Sequence, residues 1–193
     1  MRKSESIVKL QELGLNTLDY FITENKAEVI HYLARHADEK MSLRTERGDQ
    51  YDCPFYYMTK GESLLAIALK HLSEGYKLIL APSLDIKGCL AFGVVAFGAN
   101  KGDCAEFVEG EGKVREVYTH PDNQSVMIDR VSLVPVTVKE VGKRMAPILN
   151  SIYRELKEVC WDEVPCCIEW SYYSQAVGVK KQSLIVWELR PYA

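Results

Sequence analysis

Cys167-Ile168-Glu169-Trp170-Ser171 and Val186-Trp187-Glu188-Leu189-Arg190-Pro191 are the two stretches that decide the reading of this chain. Each sets one acid in the middle of an apolar run. Side chains alternate across a strand. Cys167, Glu169, Ser171 and Tyr173 therefore share one face, opposite Ile168, Trp170 and Tyr172. In the second strand Leu184, Val186, Glu188 and Arg190 share a face, opposite Ile185, Trp187 and Leu189. A turn centred on Gly178-Val179 pairs residue i with residue 357 − i, which sets Glu169 against Glu188 and Cys167 against Arg190. Like charges directly across a ladder repel, so something must offset them: a divalent cation, an arginine or a shared proton. Two glutamates beside Arg190 suit a metal–nucleotide site, because Mg²⁺ takes one or two carboxylates and completes its shell with phosphates and waters. They also suit a general acid/base pair, or a solvated sheet face on which Arg190 is an ordinary ion-pair partner.

Upstream of this hairpin, apolar spacing predicts a helix over 4–13, with Ser4 as N-cap and Gly14 ending it. An apolar connector follows at 18–22. A second helix is predicted from Thr23 as N-cap to about residue 37, with Ala27, Ile30 and Ala34 inward and Val29 and Leu33 beside them. Strands are predicted over 40–45 and over 52–57, the latter an edge because of Pro54. The helix over 61–74 turns Leu64, Leu65, Ala68 and Leu72 inward and is closed by Gly75. Strands come next at 77–81, 88–97, 104–109, 113–118 and 125–128. A helical stretch over 137–160 is broken in its first half by Gly142 and Pro147, and the hairpin strands cover 166–173 and 183–190. Helices, a run of strands, a helix and a hairpin make an α+β fold of mainly antiparallel sheets with flanking helices. No repeat or linker interrupts the chain, so 1–193 reads as a single domain with two lobes, about 1–75 and 76–193.

The composition agrees. A chain of 193 residues, 47% hydrophobic and 26% charged, can build its own core and is not disordered. With 24 Lys+Arg against 27 Asp+Glu, it lacks the basic surface a nucleic acid would require. The first fifteen residues carry charges throughout, and no apolar run approaches the ~20 residues of a membrane helix. These features predict a cytoplasmic protein with no membrane partner. The six cysteines show no C-x-x-C and read as buried reduced thiols, and the four histidines have no zinc-ligand spacing. Arg44 and Arg47 are either phosphate ligands or surface charges, and Lys77 either faces a cleft or is a solvated strand end. Gly110-Glu111-Gly112 is a plain hairpin turn or a phosphate loop. The aromatic segments 54–57 and 170–173 supply core or a homo-oligomer surface.

Several motifs fall in a telling order: Leu13-Gly14-Leu15-Asn16-Thr17 with Phe21-Ile22-Thr23, Ser42-Leu43-Arg44-Thr45, Gly110-Glu111-Gly112 before His120-Pro121-Asp122, Pro165-Cys166-Cys167-Ile168-Glu169-Trp170, and Glu188-Leu189-Arg190-Pro191. They resemble, collinearly, the motifs of the nucleotide-binding domain of phosphoenolpyruvate synthase and pyruvate phosphate dikinase, which has an ATP-grasp fold. The resemblance implies ATP or ADP with Mg²⁺ as cofactor. It places Glu169 and Glu188 at the metal and Lys3, Arg44 and Arg190 at the phosphates. It also has departures: Cys167 stands for the family's Asp, Asn16 for its Pro, and Asp52-Cys53-Pro54-Phe55-Tyr56-Tyr57 for its Gly-rich phosphate-covering loop. These residues include neither a phosphohistidine domain nor a pyruvate-binding barrel, so they do not make phosphoenolpyruvate by themselves. Two readings follow. One is an ATP/ADP–Mg²⁺ binding protein acting as a phosphotransferase or ligase. The other is a non-catalytic relic of the fold that binds a small ligand or a protein.

Overall fold

The computed structural model describes residues 1–48, 50, 53–98, 103–110, 121–128, 135–137, 145–160 and 165–191. Its elements are α1 (Lys3–Glu12), β1 (Phe21–Thr23), α2 (Lys26–Arg35), β2 (Lys40–Glu46), β3 (Phe55–Lys60), α3 (Gly61–Ser73), β4 (Lys77–Pro82), a 3₁₀ turn (Ile86–Gly88), β5 (Cys89–Phe97), β6 (Asp103–Glu109), β7 (Gln124–Ile128), β8 (Pro135–Thr137), α4 (Met145–Cys160), β9 (Cys166–Val177) and β10 (Gln182–Pro191). All pairings among the described residues are antiparallel, in a four-stranded sheet of order β1-β4-β2-β3 and a six-stranded sheet of order β10-β9-β5-β6-β7-β8. The α+β architecture is as expected. The expected strand at 113–118 and the stretch 138–144 lie outside the described residues.

The chain divides into a smaller unit, Arg2–Glu5 with Leu18–Asp85, and a larger one, Met1, Ser6–Thr17 and Ile86–Ala193. The smaller unit extends through Asp85, because β4 pairs with both β1 and β2 inside the small sheet.

In the smaller unit, Met41 and Leu43 of β2 and Leu78 and Leu80 of β4 pack against Val29, Tyr32 and Leu33 of α2 and Leu64 and Ala68 of α3. The inner stripe of α2 is thus Val29-Tyr32-Leu33, and Ile30 is 40% exposed. The cap sets this rotation. Asn25, not Thr23, is the N-cap, its Oδ1 accepting the Ala27 and Glu28 N–H groups. Thr23 instead ends β1, a strand where a connector was expected, and Phe21 of the same strand stacks on Tyr32 at 4.4 Å. Pro54 does precede an edge strand, β3.

In the larger unit, Met145, Leu149, Ile152, Tyr153 and Leu156 of α4, with Leu10 and Leu15, cover one sheet face. That face carries Ala91, Val95 and Phe97 of β5, Ala105 and Phe107 of β6, Ile168 and Trp170 of β9, and Leu184, Val186 and Leu189 of β10. Pro147 does not break α4. It is the third helical residue, where a backbone N–H has no intrahelical acceptor in any case. Helix α1 begins at Lys3, so Ser4 lies in its first turn rather than at the cap. Gly14 follows at φ +70, the left-handed conformation that ends helices. β10 is a sheet edge, yet its outward backbone is occupied: the Val186 N–H donates to the Asn16 carbonyl at 2.8 Å and the Leu189 N–H to Ser6 Oγ at 2.7 Å. Such covering keeps an edge from templating other strands.

Candidate functional site

The hairpin β9–β10 brings its two acids into direct opposition: Glu188 pairs with Glu169, Leu189 with Ile168 and Arg190 with Cys167. These pairs all obey the expected register. Nearer the turn the register shifts, so that Val186 pairs with Trp170 and Ile185 with Ser171. Trp187 is the extra residue of a bulge. A bulge breaks the period of two, so Val186 and Leu184 lie on the α4 side, not on the acid-bearing face as simple alternation predicts. Trp187 is turned the other way. Its Nε1 donates to Ser171 Oγ at 2.8 Å, placing the indole on the face of Ser171 and Glu169.

The acid-bearing face continues across the sheet. Following the pairings, Glu188, Glu169, Val94, Glu106 and Ser125 form one row, and Arg190, Cys167, Ala96, Cys104 and Met127 the next. Phe92, Val94, Ala96 and Val108 on this face are buried, so it is not a wet face. The row adds Glu106, which sequence reasoning did not single out; Asn123 Nδ2 donates to its Oε2 at 3.3 Å. Its signal was available in the alternation Cys104-Glu106-Val108.

Of the offsets that two facing carboxylates require, the structure supplies the arginine. Arg190 Nε donates to Glu188 Oε1 at 2.7 Å and Nη2 to Glu169 Oε1 at 2.8 Å. The Glu188 and Glu169 side chains are only 10% and 18% exposed, whereas Arg190 is 54% exposed. The guanidinium pKa is raised above its already high value, first by the hydrogen bond to Glu188, against the opposing effect of burial, and further by the charges of Glu169, Glu188 and Cys167. Arg190 therefore sits on the carboxylates rather than facing outward alone. Two glutamates fit a hard, oxygen-liking cation. Among the described residues no group of three or more His, Cys, Asp or Glu could hold a metal ion by itself, so phosphates and water would have to complete the shell.

Lys3 and Arg44 belong to the smaller unit. Arg44 shares one face of β2 with Ser42 and Glu46, and its guanidinium lies over the Phe55 ring, 5.0 Å from the centroid. Lys3 opens α1, whose first turn is fastened to that same face: Ser4 N–H donates to Glu46 Oε2 at 2.9 Å and Ser4 Oγ to Oε1 at 2.7 Å. The buried Glu46 is thus the anchor that brings the helix start to the strand of Arg44. Arg47 lies over Tyr76, and Lys77 pairs with Glu24 at 3.4 Å. Gly110 ends β6 at φ +101, while the expected Glu111-Gly112 loop and His120 lie outside the described residues. The cysteines at 53, 89, 104, 166 and 167 are free thiols; Cys89 and Cys166 are buried, the other three half-buried.

No protein-family model matches the sequence, and no curated protein matches it. Solved structures do match in fold. N5-carboxyaminoimidazole ribonucleotide synthetase in its ADP complex has a TM-score of 0.55 at 10% identity, over 100% of this chain and 45% of that one. D-Alanine-D-alanine ligase from Helicobacter pylori gives 0.56 at 14% identity, over 98% and 53%. An ATP-grasp ligase from Chryseobacterium gregarium, in complex with ADP and a leader and core peptide, gives 0.52 at 12%, over 97% and 50%. The chain thus has an ATP-grasp fold and spans about half the length of these neighbours. No described helix is long and apolar enough to cross a membrane.

Proposed function

We propose that this ATP-grasp-fold chain binds ATP or ADP together with Mg²⁺, in the manner of a ligase or phosphotransferase. Glu169 and Glu188 are the cation ligands in this reading, and Lys3, Arg44 and Arg190 bind phosphates. The observation that carries it is the Glu188–Glu169 pair: two carboxylates in direct register, each more than four-fifths buried, in a fold that a solved neighbour shares while holding ADP. Like charges side by side need a positive charge between them, which Arg190 supplies here and a divalent cation would supply in its place. Glu169 and Glu188 would hold a Mg²⁺ ion, which would supply positive charge to neutralise a polyphosphate. The collinear resemblance to the nucleotide-binding domain of phosphoenolpyruvate synthase supports the same assignment.

Calorimetric titration with ADP, with and without Mg²⁺, tests this reading. A ligand at about 100 times its Kd stabilises the folded state by about 2.7 kcal/mol, so a matching upward shift in melting temperature is expected. The absence of both heat and a melting shift at millimolar nucleotide refutes it. The second reading, a binding module that has lost catalysis, is favoured by Cys167 standing where the resembling family has Asp. Phosphoryl transfer depends on positioning and charge stabilisation, so binding can persist when turnover does not. Nucleotide binding without ADP formation from ATP across candidate acceptors supports that alternative.

A further inference from the structure

Arg190 has a geometry that a phosphate ligand alone does not explain. Its Nε and Nη2 atoms reach a different carboxylate each, at 2.7 and 2.8 Å, so one guanidinium bridges both glutamates. The Glu188 and Glu169 side chains are 10% and 18% exposed, while that of Arg190 is 54% exposed. We propose that Arg190 is a placeholder for the divalent cation. In the ligand-free chain it neutralises Glu169 and Glu188. When the cation arrives, it transfers to the polyphosphate, whose oxygens a guanidinium binds as well as it binds carboxylate. The inference rests on the metal–nucleotide reading and adds a regulation to it.

Two consequences follow from the geometry. A free cation must displace the guanidinium and leave it without its two anionic partners, so cation alone binds weakly. A polyphosphate gives Arg190 a new partner, so cation and nucleotide assist each other. Linkage makes that assistance reciprocal. The exposed side of Arg190 gives the phosphate access to it before the carboxylate contacts break.

Mn²⁺ binding followed by electron paramagnetic resonance tests this, first alone and then at saturating ADP, with free ADP–Mn²⁺ accounted for. The proteins are the full chain and its Arg190→Gln and Arg190→Lys variants. In the parent, ADP should tighten Mn²⁺ by about tenfold or more, within the usual range of coupling. In Arg190→Gln, Mn²⁺ alone should bind about tenfold tighter than to the parent, and the tightening by ADP should shrink correspondingly. Arg190→Lys keeps the charge but cannot span both carboxylates in the same fork, and should fall between; it also serves if Arg190→Gln fails to fold. ADP–Mn²⁺ binding retained in a variant whose affinity for Mn²⁺ alone is unchanged or weaker overturns the placeholder and leaves the nucleotide reading standing. Absence of ADP binding in the parent overturns both.

Discussion

Asn16 offers the sharpest test of how the hairpin holds its acids in register. It is fully buried and lies outside the sheet, yet its side chain meets both hairpin strands and their turn. Nδ2 donates to the Val177 carbonyl at 3.0 Å and to the Leu184 carbonyl at 2.5 Å, and Oδ1 accepts the Lys180 N–H at 2.8 Å. Asn16→Ala removes all three, together with a longer contact of 3.5 Å from Nδ2 to the Gln182 carbonyl. Lys180 is exposed and Val177 half-exposed, so their backbone groups can turn to water. Each such loss costs about 0.5–1 kcal/mol, whereas the buried Leu184 carbonyl costs about 1–3 kcal/mol when orphaned. The total is about 3 kcal/mol. In a chain of this size that lowers the melting temperature by about 6–12 °C. Urea midpoints and thermal scans read the stability, and ADP–Mg²⁺ titration reads the site, whose affinity should fall because Glu169 and Glu188 lie on the strands that Asn16 ties together. A stability change below about 0.5 kcal/mol, the level of an ordinary surface substitution, would refute the latch.

Gly93→Ala should destabilise by about 3 kcal/mol or more, since its Cβ would lie 2.3 Å from the Glu106 carbonyl oxygen and 2.8 Å from both Phe107 Cβ and Trp170 Cζ2; denaturant unfolding decides, and a variant as stable as the parent would refute the close packing of β5 on β6. Glu155 has its pKa raised, mainly by burial, with Lys180 opposing. The folded state therefore holds this proton more tightly than the unfolded chain, and the group's contribution to stability declines as pH rises above the unfolded value. Glu155→Gln should accordingly be more stable than the parent at pH 7.5, with the difference vanishing near pH 4; thermal scans at both pH values check it, and a pH-independent difference would refute burial as the cause.

The opposition of Glu169 and Glu188 is read from a turn centred on Gly178-Val179; the structure instead pairs Val177 with Gln182, and the register shifts between Gln182 and Glu188 bring the two acids back into opposition. The bulge was not legible. Tryptophan suits either face of a pleated surface, so nothing at position 187 marks an extra residue; the Ser171 partner that accommodates it lies sixteen positions away. The face of α2 was ambiguous for a related reason, as Ala27-Ile30-Ala34 and Val29-Tyr32-Leu33 are both plausible stripes, and the choice fell to Asn25. Glu46, at a strand end followed by charged residues, resembles an ordinary surface acid. Its role comes from Ser4, forty-two positions earlier, which no local pattern can show. Lys3 was placed by resemblance alone, Arg44 also by its strand-end position, and the Ser4–Glu46 contact joins the start of α1 to the strand of Arg44.

The bulge at Trp187 also gives the molecule an optical handle. Indole emission responds to local polarity and to hydrogen bonding of the ring nitrogen, and here a half-buried indole stands beside Glu188 with its nitrogen on Ser171. Trp170, wholly enclosed on the opposite face, is a natural internal standard whose spectrum follows the core alone. With Trp161 replaced by phenylalanine, these two remain of the three tryptophans in the chain. The difference between their signals separates an event at the acid-bearing face from loosening of the core, without any attached dye.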